Sequence, residues 1–423
     1  MITLSDVTEL IVDSEHKTAP KSETGHPLVR TSDIKRGRIE LSNIHRVNEE
    51  TYQKWTRRAV PQSGDLILAR EAPVGNVAVV TDGMTPVLGQ RTVLLRPDRA
   101  CVDPTYLCAL LLGDEAQYWM NAVANGATVP HLNMSDIRAL KLPELPDLET
   151  QRRTGAAIAS FDDLIENNRR RIEILEEMAR LLYREWFVHF RFPGHEDVEL
   201  VNSALGPVPD GWEIARTSDL ITSGELEIGD GYRAKNAEMT GGPLRFLRVK
   251  NVQEGYFTGL AEADSFPAEY AEIVGPKRSR PGDIAIAMKG SVGRLARVDE
   301  LTPALVYSPQ TSYWRANRRG RLTSTLLYEW MQSPSFVQQC AQVKGATDMA
   351  DYVNLKDQRS MKLQLPPTEL VRLFNDRVNP LLDLASNLRR QNDVLREARD
   401  LLLPRLVSGE LDVSKLNLDG VLA

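Results

Sequence analysis

The sequence has few of the residues that reactive or metal-bound sites need. Its 423 residues include three cysteines and six histidines. Cys101, Cys108 and Cys340 are odd in number and lack C-x-x-C spacing, so they indicate neither a disulfide framework nor a zinc site. The histidines are scattered, without H-E-x-x-H or another ligand spacing. We therefore expect a reducing compartment and no metal in this chain.

Motifs for nucleotide chemistry are missing as well. The chain lacks a G-x-x-x-x-G-K-[ST] loop, a strand–G-x-G-x-x-G–helix unit and an Asn-Pro-Pro-aromatic run, which would mark an amino-methyltransferase. Gly64-Asp65 and Gly282-Asp283 each open an apolar strand, so a turn capped by the Asp is favoured over a catalytic carboxylate. The sequence predicts a non-catalytic chain without a cofactor of its own.

Long apolar runs and a basic excess are also absent. No apolar run approaches the roughly 20 residues that a membrane helix needs, and MITLSDVTEL lacks the basic start of a secretory signal. The net charge of -6 argues against a uniformly basic surface, but not against local patches that bind DNA. A hydrophobic content of 42% over 423 residues predicts two or three domains with real cores.

Two long stretches show apolar residues at intervals of seven. The first, 147–187, has Ile158, Ile165 and Ile172 in one line, with Leu175 and Leu182 in a second. The second, 368–407, repeats the interval with leucines at 381, 388, 395 and 402. Such a seam favours another helix as its partner, so the two stretches are predicted to pair antiparallel as a rod. The alternative is that each helix packs on its own globular neighbour.

The two halves around these stretches repeat the same landmarks. Gly37, Gly64 and Gly75 match Gly255, Gly282 and Gly293, always 218 residues later. Gln90 is paired with Gln310, Gly126-Ala-Thr128 with Gly345-Ala-Thr347, and Asn133-x-x-Asp136 with Asn354-x-x-Asp357. Matched glycines and turn residues predict matched backbone bends, and hence a tandem duplication. Pro104 to Ala124 is predicted to form one helix.

The predicted fold is α+β, with two duplicated mixed α/β domains separated by two long antiparallel helices that form a coiled-coil-like rod. The predicted boundaries are 1–146 for the first domain, 147–190 for the first spacer helix, 191–210 for a connector, 211–367 for the second domain, 368–407 for the second spacer helix and 408–423 for a tail.

Polar residues that differ between the copies lie in the predicted loops. Arg and Lys neutralise phosphates, while Arg, Asn and Gln can contact base edges. Charge runs are more often only solvated surface. The residues predicted to contact DNA are Lys17, Lys21, Lys35, Arg36, Arg38, Arg57, Arg58, Arg70, Gln90, Arg91, Thr128 and His131 in the first copy, and Tyr232, Arg233, Lys235, Asn236, Lys250, Lys277, Arg278, Lys289, Gln310, Thr311, Lys344 and Thr347 in the second.

Several landmarks in this order resemble the specificity (S) subunit of type I restriction-modification systems. They are Pro-Gly-Asp with an apolar strand and Val-Gly over 281–293, the join 206–212, the run 181–187 and the run 401–411. The resemblance covers the whole chain and implies two target recognition domains, each of which recognises one half of a split, asymmetric DNA sequence. This chain departs from the family pattern in the short start of the first copy and in Pro404. The proline predicts an earlier end or kink of the second helix.

The resemblance also implies partners. Two methyltransferase (M) subunits would dock on the chain, and two restriction (R) subunits would join them in a bacterial or archaeal cytoplasm. S-adenosylmethionine, ATP and Mg would belong to those partners, as would adenine methylation and ATP-driven cleavage. The residues predicted to dock partners are Leu181, Leu182, Trp186, Phe187, Leu401, Leu402 and Leu406.

Two alternatives remain open at this point. Trp186 and Phe187 could cap the local core instead of docking a partner. The whole chain could be a two-lobed scaffold that binds protein rather than DNA, with the helices as a dimerising arm.

Overall fold

A computed structural model gives the fold, and it describes residues 2–126, 130–289, 292–317, 320–343, 345–346, 351–407 and 409–411. The chain forms two units. Unit 1 comprises the residues up to Arg169 together with those from Arg389 onward, and unit 2 comprises Arg170–Leu388. Each unit holds one α/β half of the chain and one part of each long helix. The predicted domain boundaries stay predictions, and most of the tail predicted for 408–423 lies outside the described residues.

The first half consists of short strands, helices and two 3-10 turns. The strands are Ile2–Thr3, Thr8–Asp13, His26–Val29, Arg46–Val47, Leu66–Ala69, Val77–Val79, Val87–Leu88, Thr92–Pro97 and Lys141–Leu142. The helices are Glu49–Trp55, Pro104–Leu112, Asp114–Val123 and Met134–Ala139, and the 3-10 turns are Leu4–Val7 and Thr31–Asp33.

The second half repeats most of these elements in the same order and adds further short ones. Its strands are Glu213–Arg216, Leu226–Asp230, Leu244–Leu247, Ser265–Phe266, Ile284–Ala287, Leu295–Arg297, Leu305–Tyr307, Thr311–Ala316, Gly345–Ala346, Asp351–Tyr352 and Lys362–Leu365. The helices are Thr217–Thr222, Tyr270–Val274, Ser324–Gln332, Pro334–Val343 and Leu355–Gln358, and the 3-10 turns are Asn236–Glu238, Val249–Asn251 and Gly275–Lys277. The connector before it holds a 3-10 turn and a hairpin, at His195–Asp197, Leu200–Ser203 and Gly206–Pro209.

Each half contains a four-stranded antiparallel sheet with the same connectivity. In the first half the strand order is Thr8–Asp13, Thr92–Pro97, Leu66–Ala69 and Val77–Val79. In the second half the order is Leu226–Asp230, Thr311–Ala316, Ile284–Ala287 and Leu295–Arg297. The central strands Leu66–Ala69 and Ile284–Ala287 are fully buried, which is why both read as unbroken apolar runs.

A three-stranded sheet is repeated in the same way. His26–Val29 pairs antiparallel with Arg46–Val47 and parallel with Val87–Leu88. Leu244–Leu247 likewise pairs antiparallel with Ser265–Phe266 and parallel with Leu305–Tyr307. A shared mixture of parallel and antiparallel pairs in one strand order confirms the tandem duplication that the sequence predicts.

The matched glycines form matched turns. Gly64 and Gly282 have φ of +84° and +94°, where a side chain is disfavoured, and their N–H groups donate to Val80 O and Val298 O, both at 2.8 Å. The following Asp65 and Asp283 accept the N–H of Gln62 and Arg280, again both at 2.8 Å. Both Gly-Asp pairs are therefore capped turns, as the sequence favours.

The two predicted long helices are present. The first long helix spans Leu148–Tyr183 and continues as a π-helical turn over Arg184–Val188. Asp147 caps its start, because its carboxylate accepts the Thr150 N–H at 3.0 Å. The second long helix spans Thr368–Val407. It continues through Pro404, so the earlier end suggested by that proline is not observed.

The long helices contact each other antiparallel within both units. In unit 1, Asn168 and Ile165 of the first long helix contact Asn392 of the second. In unit 2, Ile172 and Leu175 contact Ala385 and Leu388. Residue numbers thus increase along one helix where they decrease along the other, so the helices are antiparallel. Apolar residues from the predicted lines with seven-residue spacing lie at the contact. These contacts favour the paired helices over the alternative in which each helix packs only on its neighbouring domain.

Two details differ from the sequence-based expectations. The helix predicted from Pro104 to Ala124 is two helices, because Gly113 adopts an extended conformation with ψ of 154° and ends the first. The short start of the first copy still pairs with the last strand of that copy, since Ile2–Thr3 lies antiparallel to Lys141–Leu142. In the second copy Glu213–Arg216 pairs with Lys362–Leu365 in the same way.

Candidate nucleic-acid interface

One end of the four-stranded sheet of unit 1 gathers loops from distant parts of the chain. Strand Thr8–Asp13 ends there, and Arg70 follows the end of the central strand. The Arg70 N–H donates to Arg91 O at 3.0 Å, and Leu132 N–H donates to Arg70 O at 2.9 Å. His131 forms isolated backbone bridges with Glu71 and Asn125. We call these residues and the loops that carry them the sheet end of unit 1.

The sheet end of unit 1 carries several of the predicted DNA-contact residues. Arg70 forms an ion pair with Asp13 at 2.6 Å, and both side chains are largely buried. Arg91 lies further out and pairs with Glu71 at 3.3 Å. Its backbone φ of +69° is uncommon for a non-glycine residue, and such conformations concentrate at functional sites.

Three more predicted residues meet the strand that ends at Asp13 or the residues after it. The Gln90 amide donates to His16 O at 3.2 Å. Arg58 donates to Asp13 O at 3.3 Å, and the guanidinium groups of Arg57 and Arg58 lie 3.8 and 3.9 Å from the Glu15 carboxylate. Basic side chains from loops far apart in sequence therefore surround one strand end.

Unit 2 builds the same end of its sheet with the same backbone bonds. The Met288 N–H donates to Gln310 O at 3.2 Å, and the Val353 N–H donates to Met288 O at 3.0 Å. Lys289 forms an isolated bridge with Tyr352. These residues, with the strand end at Asp230, form the sheet end of unit 2.

The side chains at the sheet end of unit 2 are different. Lys277 donates to the Asp230 carboxylate at 3.1 Å and to Gly231 O at 2.7 Å. The Tyr232 hydroxyl donates to Glu238 at 3.1 Å, and burial together with that carboxylate raises the pKa of Tyr232. The sheet end of unit 2 thus carries a lysine, a tyrosine and a glutamine, whereas the sheet end of unit 1 carries mainly arginines.

The backbone bonds correct one pairing made from the sequence. Arg91 O and Gln310 O accept equivalent N–H groups, those of Arg70 and Met288. Gln310 therefore matches Arg91, whereas Gln90 matches Pro309. The sequence alignment is wrong by one residue here, because it paired identical side chains rather than equivalent hydrogen bonds.

Other predicted residues do not lie at the sheet ends. Arg38 forms an ion pair with Asp163 of the first long helix at 2.6 Å. Arg36 donates to Leu112 O at 3.2 Å and lies 3.9 Å from Asp400 of the second long helix. Lys35, in the same turn, donates to Ser32 O at 2.8 Å. This turn braces the α/β half against the helices.

The remaining predicted DNA contacts have diverse positions. Thr311 is buried, and its hydroxyl donates to Ser308 O at 2.8 Å. Thr128, Lys344 and Thr347 lie outside the described residues. The exposed ones are Lys17, Lys21, Arg233, Lys235, Asn236, Lys250, Arg278 and Lys289. Contact of any of these with DNA stays a prediction.

The predicted docking residues divide by exposure. Leu181 and Leu401 are exposed on the long helices, and Leu182 and Leu402 are half-buried. Trp186, Phe187 and Leu406 are buried. The Phe187 ring lies 4.8 Å from that of Phe374 and 5.8 Å from that of Trp212, centroid to centroid. Trp186 and Phe187 therefore belong to the core of unit 2, the alternative left open by the sequence.

Sequence reasoning missed the acidic partners at the sheet ends. Asp13 and Asp230 hold basic side chains at equivalent strand ends, and their repetition in both copies was the available signal. It also missed the largely buried pairs at the start of the central strands, where Asp65 meets Arg96 at 2.8 Å and Asp283 meets Arg315 at 2.6 Å. These carboxylates are engaged by an arginine and a turn N–H, which is a structural arrangement.

Within the described ranges, no cluster of three His, Cys, Asp or Glu could hold a metal ion. Among the helices of the described residues, none is long and apolar enough to cross a membrane.

Comparison with known proteins gives a consistent family. A sequence model described as the type I restriction modification DNA specificity domain matches residues 1–177. The MjaIX type I restriction enzyme specificity subunit of Methanocaldococcus jannaschii is 26% identical over 375 residues, covering 88% of this chain and 82% of the relative. The HindI type I restriction enzyme specificity subunit of Haemophilus influenzae is 21% identical over 443 residues, covering 90% of this chain and 94% of the relative.

A solved structure supports the fold. The crystal structure of a type I restriction-modification system S subunit from M. genitalium superposes with a TM-score of 0.59 at 14% identity, covering 96% of this chain and 95% of the other. The resemblance stated from the sequence agrees with the matched domain and with these relatives. The matched domain over residues 1–177 and the relatives matched along most of their length make this chain similar to specificity subunits of type I restriction-modification systems.

Proposed function

We propose that each unit recognises one half of a split, asymmetric DNA target with its sheet end. The observation that carries this proposal is the combination of equal backbone and unequal side chains. Arg70 and Arg91 in unit 1 occupy the places of Met288 and Gln310 in unit 2. Base choice depends on the side chains that reach the groove, so one scaffold with two side-chain sets suits two different half-sites.

Arg91 and Gln310 are the side chains best suited to choose bases. Both are exposed, both stand at the same backbone position, and they differ in hydrogen-bonding pattern. An arginine fork matches the O6 and N7 acceptors of guanine, whereas a glutamine amide matches N6 and N7 of adenine. Arg70 has a different role in this proposal, because Asp13 holds its guanidinium in place at the base of the site.

Exchange of these two side chains tests the proposal. Arg91→Gln and the matched variant Gln310→Arg are each assembled with the cognate methyltransferase and given a randomised duplex library. Arg91→Gln should alter base preference in one half-site by about tenfold or more per position, since a bidentate contact contributes about 1–3 kcal/mol of discrimination. Gln310→Arg should alter only the other half-site.

Two outcomes would contradict independent recognition by the two sheet ends. Either variant could change both half-sites, or both could leave base preference intact while weakening binding to all sequences equally. Gel shifts at low and high salt, with and without the methyltransferase, separate DNA recognition from the scaffold alternative. A chain that binds only protein would shift no duplex under any of these conditions.

We also propose that the long helices dock two copies of one partner, the methyltransferase subunit. Large apolar side chains are exposed at matching positions of the two helices, always 220 residues apart. They are Leu164 with Leu384, Ile174 with Val394, and Leu181 with Leu401. Two equivalent apolar patches suit two copies of the same protein, because repeated surfaces bind repeated partners.

Charge introduced at one patch should remove one partner. Ile174→Lys and Val394→Lys are each predicted to lower the methyltransferase stoichiometry from two to one, and the double variant to zero. Native mass spectrometry of the purified complexes gives the count. Asn202→Lys, at an exposed polar position of the connector hairpin, is the control outside the long helices and should retain both partners. Full stoichiometry in the double variant would place docking elsewhere.

The chemistry in this proposal belongs to the partners. Methyltransferase subunits would bind S-adenosylmethionine and methylate adenine, and restriction subunits would use ATP and Mg to cleave. This chain would supply the choice of sequence and the docking surfaces. The absence of nucleotide-binding motifs from the sequence is consistent with that division of labour.

A further inference from the structure

Two buried asparagines meet where the long helices cross unit 1. Asn168 is 7% exposed and Asn392 is 3% exposed. The Asn168 amide donates to the Asn392 side-chain oxygen at 3.1 Å, and the Asn392 amide donates to Ile165 O at 3.1 Å. Asn392 therefore accepts from one residue of the first long helix and donates to another, in a place where water is largely excluded.

An ion pair lies one to two turns along the same seam. Arg399 donates to the Asp162 carboxylate at 2.5 Å, and the two side chains are 12% and 16% exposed. A largely buried charge without its partner is strongly unfavourable, so this pair requires each helix to supply its own half. The seam of unit 1 thus holds two polar pairs, each made between unlike helices.

The equivalent positions in unit 2 are all apolar. Moving by the repeat of 220 residues takes Asn168 to Leu388 and Asn392 to Ile172. Ile172 and Leu388 lie together in one buried apolar cluster. The same step takes Asp162 to Leu382 and Arg399 to Ala179, which are buried in the main core of unit 2. The two units therefore differ at these four equivalent positions, because unit 1 has a polar residue at each and unit 2 has an apolar one.

This break makes pairing between like helices unfavourable. If two first helices from separate chains paired antiparallel in the equivalent register, Asn168 would face Ile172 and Asp162 would face Ala179. If two second helices paired, Asn392 would face Leu388 and Arg399 would face Leu382. In these pairings Asp162, Asn168 and Asn392 would each lose the side-chain partner that they have in the native pair, and Arg399 would keep only Asp400 of its own helix. Only the unlike pair matches polar with polar and apolar with apolar.

We propose that Asp162, Asn168, Asn392 and Arg399 form a pairing code that makes the first long helix select the second and reject another copy of itself. Duplicated helices are otherwise similar enough to pair with their own kind. The code keeps two different units in one molecule and opposes assemblies of two identical units. The inference follows from the seam geometry and does not depend on the proposed DNA function.

Disulfide trapping in the full-length chain tests the code. Cysteines at Ile165 and Leu175 face each other only when two first helices pair, because in the native pairing both face the second long helix. When Cys101, Cys108 and Cys340 are replaced by Ala in every chain of the test, covalent dimers on a non-reducing gel after unfolding and refolding report like-with-like pairing. A second reporter, Ile172→Cys with Leu388→Cys, gives an intrachain bond when the native pairing forms.

Every variant in the test series carries Asp162→Leu and Arg399→Ala, which together remove the ion pair. The chain that retains Asn168 and Asn392 should give little covalent dimer. Asn168→Leu with Asn392→Ile makes both seams apolar and should raise the dimer fraction at least tenfold. Adding Ile172→Asn and Leu388→Asn moves the polar pair into unit 2 with the original residue composition at these four positions, and should lower the fraction again.

The order low, high, low is the expected result. Equal dimer fractions across the series would overturn the proposal, as would a high fraction in the last variant. The native-pairing reporter could show that loss of the ion pair prevents folding. In that case the same asparagine substitutions are made in the chain that retains Asp162 and Arg399. The same order is expected there with a smaller amplitude, and a flat series there also overturns the proposal.

Discussion

At the scale of single residues, one buried position carries charge in the second copy and none in the first. Glu329 lies in helix Ser324–Gln332 and is 2% exposed, and its Oε2 has no hydrogen-bond partner among the described residues. The matching residue in the first copy is Ala109. Burial raises the pKa of Glu329 to about 8, with Arg180, Glu176 and Arg297 as the charges that act on it.

This carboxyl predicts a pH dependence of stability. A raised pKa means that the neutral form is favoured in the folded chain, so its contribution is fully present below pH 4.5 and is lost as pH rises through about 8. Glu329→Gln should therefore be roughly a few kcal/mol more stable than the wild type above pH 8 and nearly equal to it below pH 4.5. Urea unfolding across this range measures the difference.

A second carboxylate serves as the control with opposite sign. Burial alone would raise the pKa of Glu225, but its hydrogen bonds and ion pair with Arg321 outweigh burial and hold that pKa below its usual value. Its contribution is present above its ordinary pKa and is lost as pH falls through the lowered value. Glu225→Gln should thus lower the free energy of unfolding at neutral pH.

A pH-independent effect of Glu329→Gln would show that the Glu329 carboxyl is not neutral in the folded chain.

At the scale of elements, the start of each short core helix meets one long helix. In unit 1, a Cβ on Gly155 of the first long helix would lie 3.0 Å from the capping carboxylate of Asp103 and 3.1 Å from Tyr106 N. In unit 2, the equivalent Asn375 accepts a hydrogen bond from the capping Thr323 hydroxyl at 3.2 Å. The two units thus form the same contact between a short helix and a long helix with different side chains.

Close approach at Gly155 predicts a steric cost for larger residues. Gly155→Leu should lower the free energy of unfolding by about 1–3 kcal/mol, because the side chain would be forced against the Asp103 cap. Asn167→Leu, at an exposed position of the same helix, should change stability by less than about 0.5 kcal/mol. Thermal or urea unfolding distinguishes them. Equal effects would mean that the helix can move away from the cap without cost.

At the scale of the whole molecule, helix length predicts the separation of the half-sites. Seven residues add roughly 10 Å to an α-helix, which corresponds to about three base pairs. One heptad inserted into each long helix should therefore lengthen the preferred gap by about three base pairs and leave both half-sites unchanged. Methylation of a library with varied gaps measures this. An unchanged gap would show that the long helices do not set the distance between the half-sites, and insertion into only one helix is the mismatched control.

Much of this organisation could be predicted from local signals. The heptad lines, the capping Asp147 and the repeated Gly-Asp turns each depend on residues a few positions apart, so the helices, the duplication and the capped turns were foreseeable. The break at Gly113 was not, because the apolar pattern continues across it. Burial of Trp186 and Phe187 was also undecided, since an aromatic pair at a helix end suits a core and a partner equally.

The sequence by itself determined that this chain is a duplication with two long amphipathic helices, because spacing of seven and a constant repeat are properties of order along the chain. Tertiary structure alone decided which polar residues stand at each sheet end and that Arg91 matches Gln310, since strand pairing sets that register. It also decided which polar residues meet in the seam. Asn168 and Asn392 are 224 positions apart and Asp162 and Arg399 are 237 apart, so only folding brings each pair together.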